Sequence, residues 1–418
     1  MNILICTVNF SPELTATGKY TGEMAAWLQQ NGNTVDAIAA PPHYPKWEVD
    51  QEYKGKGFLS QVEQGVNVMR VPCYIPSANK LSSKTRILME STFSLLSLFW
   101  WLPILFRKKK YDVVISICPP MQTALFPYLY KLIRGVPYIF HIQDFQVDMA
   151  MELGMLKKGP LTRLLFRIEQ FLLRKATMVT TITDAMRNRA VAKGIPKERL
   201  ALCPNWSNID TIRPGNHNNP FRTAHGFGEH DFLVLYSGGM GEKQGLEVIL
   251  QAAESLKGDS RIKFIIVGNG GAKKNLQEDA ERLALTNVTF LDLQPLEALP
   301  EMFSAANVHL VIQKSQATDL VMPSKLTNIL ASGRPAIATA YPDSALGMVI
   351  EKHDTGLLIP PESCDHLREA ILTLCESPVL ANEKGINARA YAERFLDIDC
   401  IMAEFNTLLN DIATRHKD

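Results

Sequence analysis

Short, continuously apolar runs alternate with longer amphipathic stretches along this whole chain, and that recurrence limits the fold more than any other feature. Ile3–Val8, Thr34–Ala39, Asp112–Ile117, Pro137–Ile142 and Met178–Thr183 suit strands buried on both faces. Helical segments lie between them; Tyr20–Gln30 is one, and Gly32 stops it. A second series runs through Phe232–Tyr236, Lys263–Val267, Val288–Leu291, Val308–Ile312 and Ala336–Thr339, with a helix at Leu246–Leu256. Alternation at this spacing predicts an α/β fold with parallel, doubly wound sheets. At 418 residues the chain is too long for one core, so two domains are expected. The stretch from Pro204 to Asp231 is rich in Asn, Pro, Gly and His and has no apolar period, which reads as an interdomain linker. The first domain is placed at 1–207 and the second at 208–397. An amphipathic helix at about 398–414, with no strand after it, is expected to pack back on the first domain.

Composition excludes several classes. A net charge of +1 argues against nucleic acid as a partner, so any basic surface is local. The seven cysteines are dispersed with no C-x-x-C pair, as expected for reduced thiols. The histidines form no zinc-type cluster, and Asp397-Ile398-Asp399 reads as a helix start rather than a metal motif, so no metal or cofactor is expected. The N-terminus lacks the zones of a signal peptide, which gives a cytoplasmic expectation. Ile87–Phe106 is about long enough to span a bilayer but contains Glu90 and Pro103, and a strand-like run follows at once. It is either a core helix or an interfacial one. In the interfacial case Phe99, Trp100 and Trp101 would sit at the membrane, anchored by Arg107, Lys108, Lys109 and Lys110. Leu156–Ala176, with Lys157, Lys158, Arg163, Arg167, Arg174 and Lys175, is a basic amphipathic candidate in the same domain.

Two stretches carry recognisable chemistry. Tyr236-Ser237-Gly238-Gly239-Met240-Gly241-Glu242-Lys243-Gln244-Gly245 is a glycine loop between a strand and a helix. Glycines let the backbone approach a phosphate, the helix N-terminus offers N–H groups, and Lys243 adds charge. The competing possibility is a tight turn without a ligand; the spacing is not that of a Walker A loop. Pro323-Ser324-Lys325 then opens a helix, placing Ser324 and Lys325 as a second anion-binding element, with Asn328 one turn on and suited to a ribose hydroxyl.

Taken together, S-G-G-M-G-E-K-Q-G-L-E, V-G-N-G-G (ending at Gly271) and P-S-K-L-T-N-I-L-A-S-G-R-P resemble the retaining GT-B glycosyltransferases of family four. The likeness is strongest to the WcaI-type transferases of colanic acid and related polysaccharide assembly. Asn9–Met24, His141–Asp148 and Pro204–Ser207 share it. The resemblance implies a GT-B fold, two Rossmann-like domains facing across a cleft, and a metal-independent retaining transferase. Its acceptor would bind the first domain and its nucleotide-sugar donor the second. GDP-fucose is the implied donor, and an undecaprenyl-diphosphate-linked sugar on an anionic membrane surface the implied acceptor. By the same resemblance the Gly18 loop helps place the substrates, and His141, with Asp144 three residues on, lies beside the donor sugar. Lys243 and Lys325 hold the departing diphosphate, Asn269 and its glycines line the floor, and Leu293 and Gln294 meet the base. Against these stand plainer roles: a satisfied strand-end histidine for His141 and a helix cap for Asp144. Many relatives carry two glutamates where this chain has Leu320 and Asn328, with Asp319 next to the first as a substitute. A silent nucleotide-binding scaffold of the same fold is the main rival. A dinucleotide oxidoreductase fails for want of G-x-G-x-x-G spacing.

Overall fold

In the computed structural model the chain divides into two compact units, Met1–Pro204 with Ile401–Asp418, and Asn205–Cys400. The structure describes residues 1–13, 16–77, 80–152, 159–241, 244–315 and 323–416.

The first unit is built on an eight-stranded sheet. Its strands are β1 (Asn2–Cys6), β2 (Thr34–Ala39), β3 (Leu59–Glu63), β4 (Val66–Arg70), β5 (Val113–Cys118), β6 (Tyr138–Ile142), β7 (Met178–Thr181) and β8 (Leu200–Leu202). They lie in the order β3-β4-β2-β1-β5-β6-β7-β8, parallel except for the β3–β4 hairpin. Gln64 and Gly65 close that hairpin with φ of 51° and 83°, the two positive values a type I′ turn requires. The strand order reverses beside β1, so the β1 and β5 ends flank the switch point where such sheets bind ligands.

Helix Ser83–Phe106 carries the chain from β4 to β5 in this one sheet. A helix that crossed a bilayer would separate those strands, so this one is a crossover, although its length and composition would suffice for a span. Ser82 and Thr85 form a reciprocal capping box at its start. Met89, Phe93, Ser97, Trp101 and Ile104 recur at helical spacing and are buried. That phase corrects the membrane assignment of the tryptophans. Trp101 is 1% exposed and packs on Phe126 and Tyr130. Trp100 is half-buried and its indole N–H donates to the Arg70 carbonyl at 3.0 Å. The exposed apolar side chains are instead Ile87, Leu88, Leu95, Leu96, Phe99, Leu102 and Phe106, with Arg107 to Lys110 exposed after them. Helix Leu125–Arg134 packs beside this one and exposes Leu129, Leu132 and Ile133. Helix Pro160–Lys175 lies next to that, exposing Leu164, Ile168 and Phe171 among Arg163, Arg167 and Arg174. Lys157 and Lys158 fall outside the described residues. In the last helix, Ile398–Arg415, Met402, Phe405 and Leu409 are buried, and Asn406 accepts a hydrogen bond from Asn33 at 3.2 Å.

The second unit holds six parallel strands: β9 (Phe232–Ser237), β10 (Ile262–Val267), β11 (Val288–Leu291), β12 (Val308–Val311), β13 (Ala336–Thr339) and β14 (Gly356–Ile359). Their order, β11-β10-β9-β12-β13-β14, is that of a dinucleotide-type Rossmann sheet with its switch point between β9 and β12. Along β9, Val234 and Tyr236 enter the core on one face while Leu233 and Leu235 enter the core on the other. Each such side chain contributes about 1.5–3 kcal/mol of burial. The stretch 205–231 belongs to this unit and is packed, which corrects the linker assignment. Trp206, Phe221 and Arg222 are buried there. Arg222 donates to the carbonyls of Ala305, Gly228 and Asp231 and to Asn307 Oδ1. The polar, turn-rich composition supplies acceptors for a buried guanidinium rather than exposure to solvent.

Candidate active site

The C-terminal ends of β9 and β10 run into two glycine turns that are bonded to each other. Gly238 N–H donates to Val267 O, Met240 N–H to Asn269 O, and Ala272 N–H to Met240 O, each at 2.9 Å. The approach is too close for side chains. A Cβ on Gly268 (φ +145°) would lie 1.9 Å from the Gly238 carbonyl oxygen, and one on Gly270 (φ +156°) 2.3 Å from that of Met240. These glycines therefore make room for backbone, and the floor expected around Asn269 is a backbone seam; the Asn269 side chain accepts from Lys273 at 3.1 Å. Gly241 N–H is likewise engaged, by Gln244 Oε1 at 3.1 Å. Gly239 differs: a Cβ there would meet nothing within 4 Å, and its N–H makes no hydrogen bond among the described residues. Among the described residues of the turn expected to cradle a phosphate, Gly239 is one left to do so.

Lys325 begins helix Lys325–Ala331, one residue after Ser324, which is exposed and makes no side-chain cap. The lysine's stem is partly exposed, but its Nζ is shut off from solvent and has no hydrogen-bond partner among the described residues. It lies 3.7 Å from the centre of the Tyr236 ring and against Gly238, whose absent Cβ would stand 3.0 Å from it. Tyr236 is fixed in turn by a 2.7 Å hydrogen bond to Gly239 O. Desolvation lowers the amine's pKa to about 7. At the end of β12, Gln313 Nε2 is a second buried donor without a partner. The next residue, Lys314, packs over Gly245, whose φ is +68°. Gln313 and Lys314 escaped the sequence analysis because the segment after β12 matches no phosphate motif; their signal was only their place after a strand at the switch point. Among the described residues no carboxylate pairs with Lys325, and unpaired N–H donors beside such a cation favour an anion.

Other expected residues are placed as follows. Lys243 and Asp319, with Leu320, lie outside the described residues. Asn328 Oδ1 accepts from the buried Ser207 hydroxyl at 2.8 Å, so that oxygen is engaged within the protein. Leu293 and Gln294 follow the edge strand β11; Leu293 is exposed and Gln294 is tied to Asp292 O at 2.9 Å. Gly18 sits in the first turn of helix Ala16–Gln30 rather than in a loop. A Cβ there would come 2.3 Å from Glu13 Oε2. Glu13, missed in the sequence, accepts from Asn9 Nδ2 at 2.9 Å and from the N–H groups of His43 and Tyr44 at 3.0 Å. His141 is 1% exposed in β6, and burial lowers its pKa to about 4. Gln143 Nε2 donates to its Nε2, so the ring proton sits on Nδ1 and is donated to Thr180 Oγ1, both at 2.9 Å. His141 is thus neutral with both nitrogens engaged, and holds Gln143 at the strand end. Asp144 is half-buried just beyond. Among the described residues no three His, Cys, Asp or Glu side chains converge as metal ligands.

Two doubly wound units, the second carrying an anion-type site at its switch point, have the architecture of a GT-B glycosyltransferase. Residues 15–206 match the glycosyl transferase 4-like domain and residues 218–391 the glycosyl transferases group 1, and the chain belongs to this glycosyltransferase family. It is 36% identical over 419 residues to WcaI of Escherichia coli (strain K12), described as a colanic acid biosynthesis glycosyl transferase, covering 99% of this chain and 100% of that one. Over 275 residues it is 24% identical to the alpha-D-kanosaminyltransferase of Streptomyces kanamyceticus, covering 63% of this chain and 68% of the relative. Among solved structures, sucrose-phosphate synthase from Thermosynechococcus elongatus shares the fold with a TM-score of 0.74, 16% identity and 99% of both chains covered. Anabaena HepE, solved in complex with UDP and glucose, matches with a TM-score of 0.72, 15% identity, and 98% and 100% of the two chains covered.

Proposed function

We propose that this glycosyltransferase moves a hexose from a nucleotide-diphosphate sugar to a lipid-diphosphate-linked sugar during exopolysaccharide assembly of the colanic acid type, retaining the anomeric configuration. GDP-fucose is the favoured donor. The observation that carries the donor half is the buried amine of Lys325, without a hydrogen-bond partner among the described residues and set against Gly238 at the switch point of the second sheet. A diphosphate there would gain a charge-assisted hydrogen bond from the lysine, with Gly239 N–H and Gln313 Nε2 as neutral donors. These groups would stabilise the charge that builds on the phosphate as the bond from the anomeric carbon to the phosphate oxygen breaks. The acceptor hydroxyl forms the new bond on the same face and passes its proton to a departing phosphate oxygen. Protein cations supply the counter-charge in this scheme, and Lys243 would be one of them.

The acceptor half rests on the apolar and basic outer faces of helices Ser83–Phe106, Leu125–Arg134 and Pro160–Lys175, which suit a peripheral position on anionic lipid at the cytoplasmic side. The test is transfer of radiolabelled sugar from a panel of GDP- and UDP-sugars to a prenyl-diphosphate-linked glucose, with Lys325→Ala as control. Product from GDP-fucose that is lost in the variant is the expected result. Product from a UDP-sugar alone would replace the donor, and no donor consumption with any acceptor would leave a nucleotide-binding scaffold.

A further inference from the structure

The first unit contains a pocket of about 910 Å³ that none of the foregoing uses. It lies beyond the C-terminal ends of β2 and β4, the edge of a parallel sheet at which ligands bind, and its volume suits a small molecule. Lys46, Lys54, Lys56 and Arg70 line it, against a single acid, Glu48, which pairs with Lys54 at 2.7 Å. Arg70 is 1% exposed; it donates to the carbonyls of Ala40 and Ser11 and pairs with Glu63, and its Nε remains buried without a partner. The aromatic walls are Tyr53 and Trp47. Trp47 holds a backbone φ of +56°, a region that a bulky residue occupies only when its surroundings enforce it. The Arg86 guanidinium lies 5.6 Å from the centre of its ring, and the rings of His43 and Tyr44 pack 5.9 Å away. Lys46 and Lys56 have no salt-bridged acidic partner among the described residues, and a strained, braced indole beside two such cations suits a phosphorylated sugar: the ring takes the sugar face and the lysines take the phosphate.

The pocket also adjoins the exposed apolar helix. Phe58, between the lining residues Gly57 and Leu59, stacks on Phe99 at 4.1 Å. Phe99 is 52% exposed, and Leu95 one turn away is 69% exposed. We infer that this pocket holds the diphosphate-linked sugar head of an amphiphilic acceptor whose apolar chain continues over Phe58 and Phe99 onto helix Ser83–Phe106. The inference rests on the lipid-linked acceptor proposed above and gives it a place.

The test measures binding to the full-length protein by calorimetry, using farnesyl diphosphate, inorganic pyrophosphate and farnesol as probes. GDP and UDP are present at saturation to fill any nucleotide site. Farnesyl diphosphate is expected to bind at least roughly tenfold more tightly than either fragment, and more weakly as salt rises. In Lys46→Glu/Lys56→Glu, shown to be folded by an unchanged melting curve, its affinity falls by roughly tenfold or more. Phe99→Asp weakens farnesyl diphosphate and leaves pyrophosphate unchanged. Wild-type affinity in the folded double variant, equal affinity for farnesol, or binding abolished by nucleotide overturns the inference. Since binding and not turnover is read, failure here leaves sugar transfer standing, and absence of transfer from every donor leaves the binding result standing.

Discussion

The donor site makes a quantitative prediction through Lys325. Its amine has lost water and gained only the face of the Tyr236 ring, with no hydrogen-bond acceptor among the described residues, and its pKa falls from the ordinary 10.5 to about 7. A bound diphosphate favours the ammonium form, so donor binding takes up a proton at any pH where the free amine is neutral. A nucleotide-sugar diphosphate keeps its charge through mildly alkaline solution, which leaves the lysine in control of the linkage. Above pH 7 the ammonium fraction of the free protein drops about tenfold per pH unit, and donor affinity drops with it. The fraction is about one half at pH 7 and about one hundredth at pH 9, so the loss over that range is roughly fiftyfold, or about 2.3 kcal/mol. Titration calorimetry in two buffers of different ionisation enthalpy counts the proton directly. Lys325→Arg, charged at every accessible pH, should bind donor with a flat profile over the same range. The stability of the free protein should move the other way. A depressed lysine contributes stability that is present above 10.5 and is lost as pH falls through about 7, so the free protein becomes more stable as pH rises across this window while binding weakens. Equal slopes in wild type and Lys325→Arg, or no proton uptake at pH 8.5, would refute the reasoning.

Further expectations are checked with single variants. Gly268→Ala puts a Cβ 1.9 Å from the Gly238 oxygen and should cost about 3 kcal/mol or more by urea unfolding. Gly239→Ala meets open space, so it should fold normally and lose donor affinity alone. His141, depressed to about 4, contributes stability that is present above 6.5 and is lost as pH falls to 4, on the order of 3 kcal/mol; His141→Asn should remove that slope from the acid melting profile. Co-sedimentation with phosphatidylglycerol vesicles should fall about tenfold or more in Leu95→Asp/Phe106→Asp, while neutral vesicles bind neither protein well; equal binding to both vesicle types would contradict a docked helix. Glu90 is buried in helix Ser83–Phe106 with its pKa raised by desolvation. Its contribution is full below the unfolded carboxylate value and is lost as pH rises through the folded one, so Glu90→Gln should melt higher than wild type at pH 8.

The doubly wound fold was legible because buried parallel strands write themselves as unbroken apolar runs, and β2, β11 and β13 begin and end where those runs do. The β3–β4 hairpin was not, since Gln64-Gly65 lacks the Asn or Asp that marks a type I′ turn, and β8, at three residues, is too short to declare itself. Lys325 could be read from sequence as a cation; its desolvation could not, because Tyr236 and the glycine turn that enclose it come from a distant part of the chain. The tryptophans misled for the opposite reason. Their chemistry suits an interface, but helical phase decides which side of a crossover a residue faces, and Trp101 shares a stripe with Phe93 and Ser97. Glycine is the least legible residue of all: Gly239 opens toward space, whereas Gly268 and Gly270 admit only backbone, and the letters are the same.

What the sequence leaves unexplained is concentrated where the fold departs from its own economy. Interiors reject unpaired cations, bulky residues avoid positive φ, and crossovers on soluble sheets turn polar residues outward. The structure breaks the first rule at Lys325, the second at Trp47 and the third along Leu95, Phe99 and Phe106. Each departure costs stability unless something outside the chain offsets it, and each calls for a different compensator. An anion would relieve the first, a sugar ring and phosphate would occupy the second, and a prenyl chain or lipid would cover the third. The proposed donor diphosphate would satisfy the first alone; the proposed lipid-diphosphate sugar would satisfy the second and third together, which sit on adjoining surfaces joined by the Phe58–Phe99 stack. If the proposed donor and acceptor are right, Lys325 should respond to nucleotide and not to prenyl diphosphate, and Lys46 and Lys56 should do the reverse.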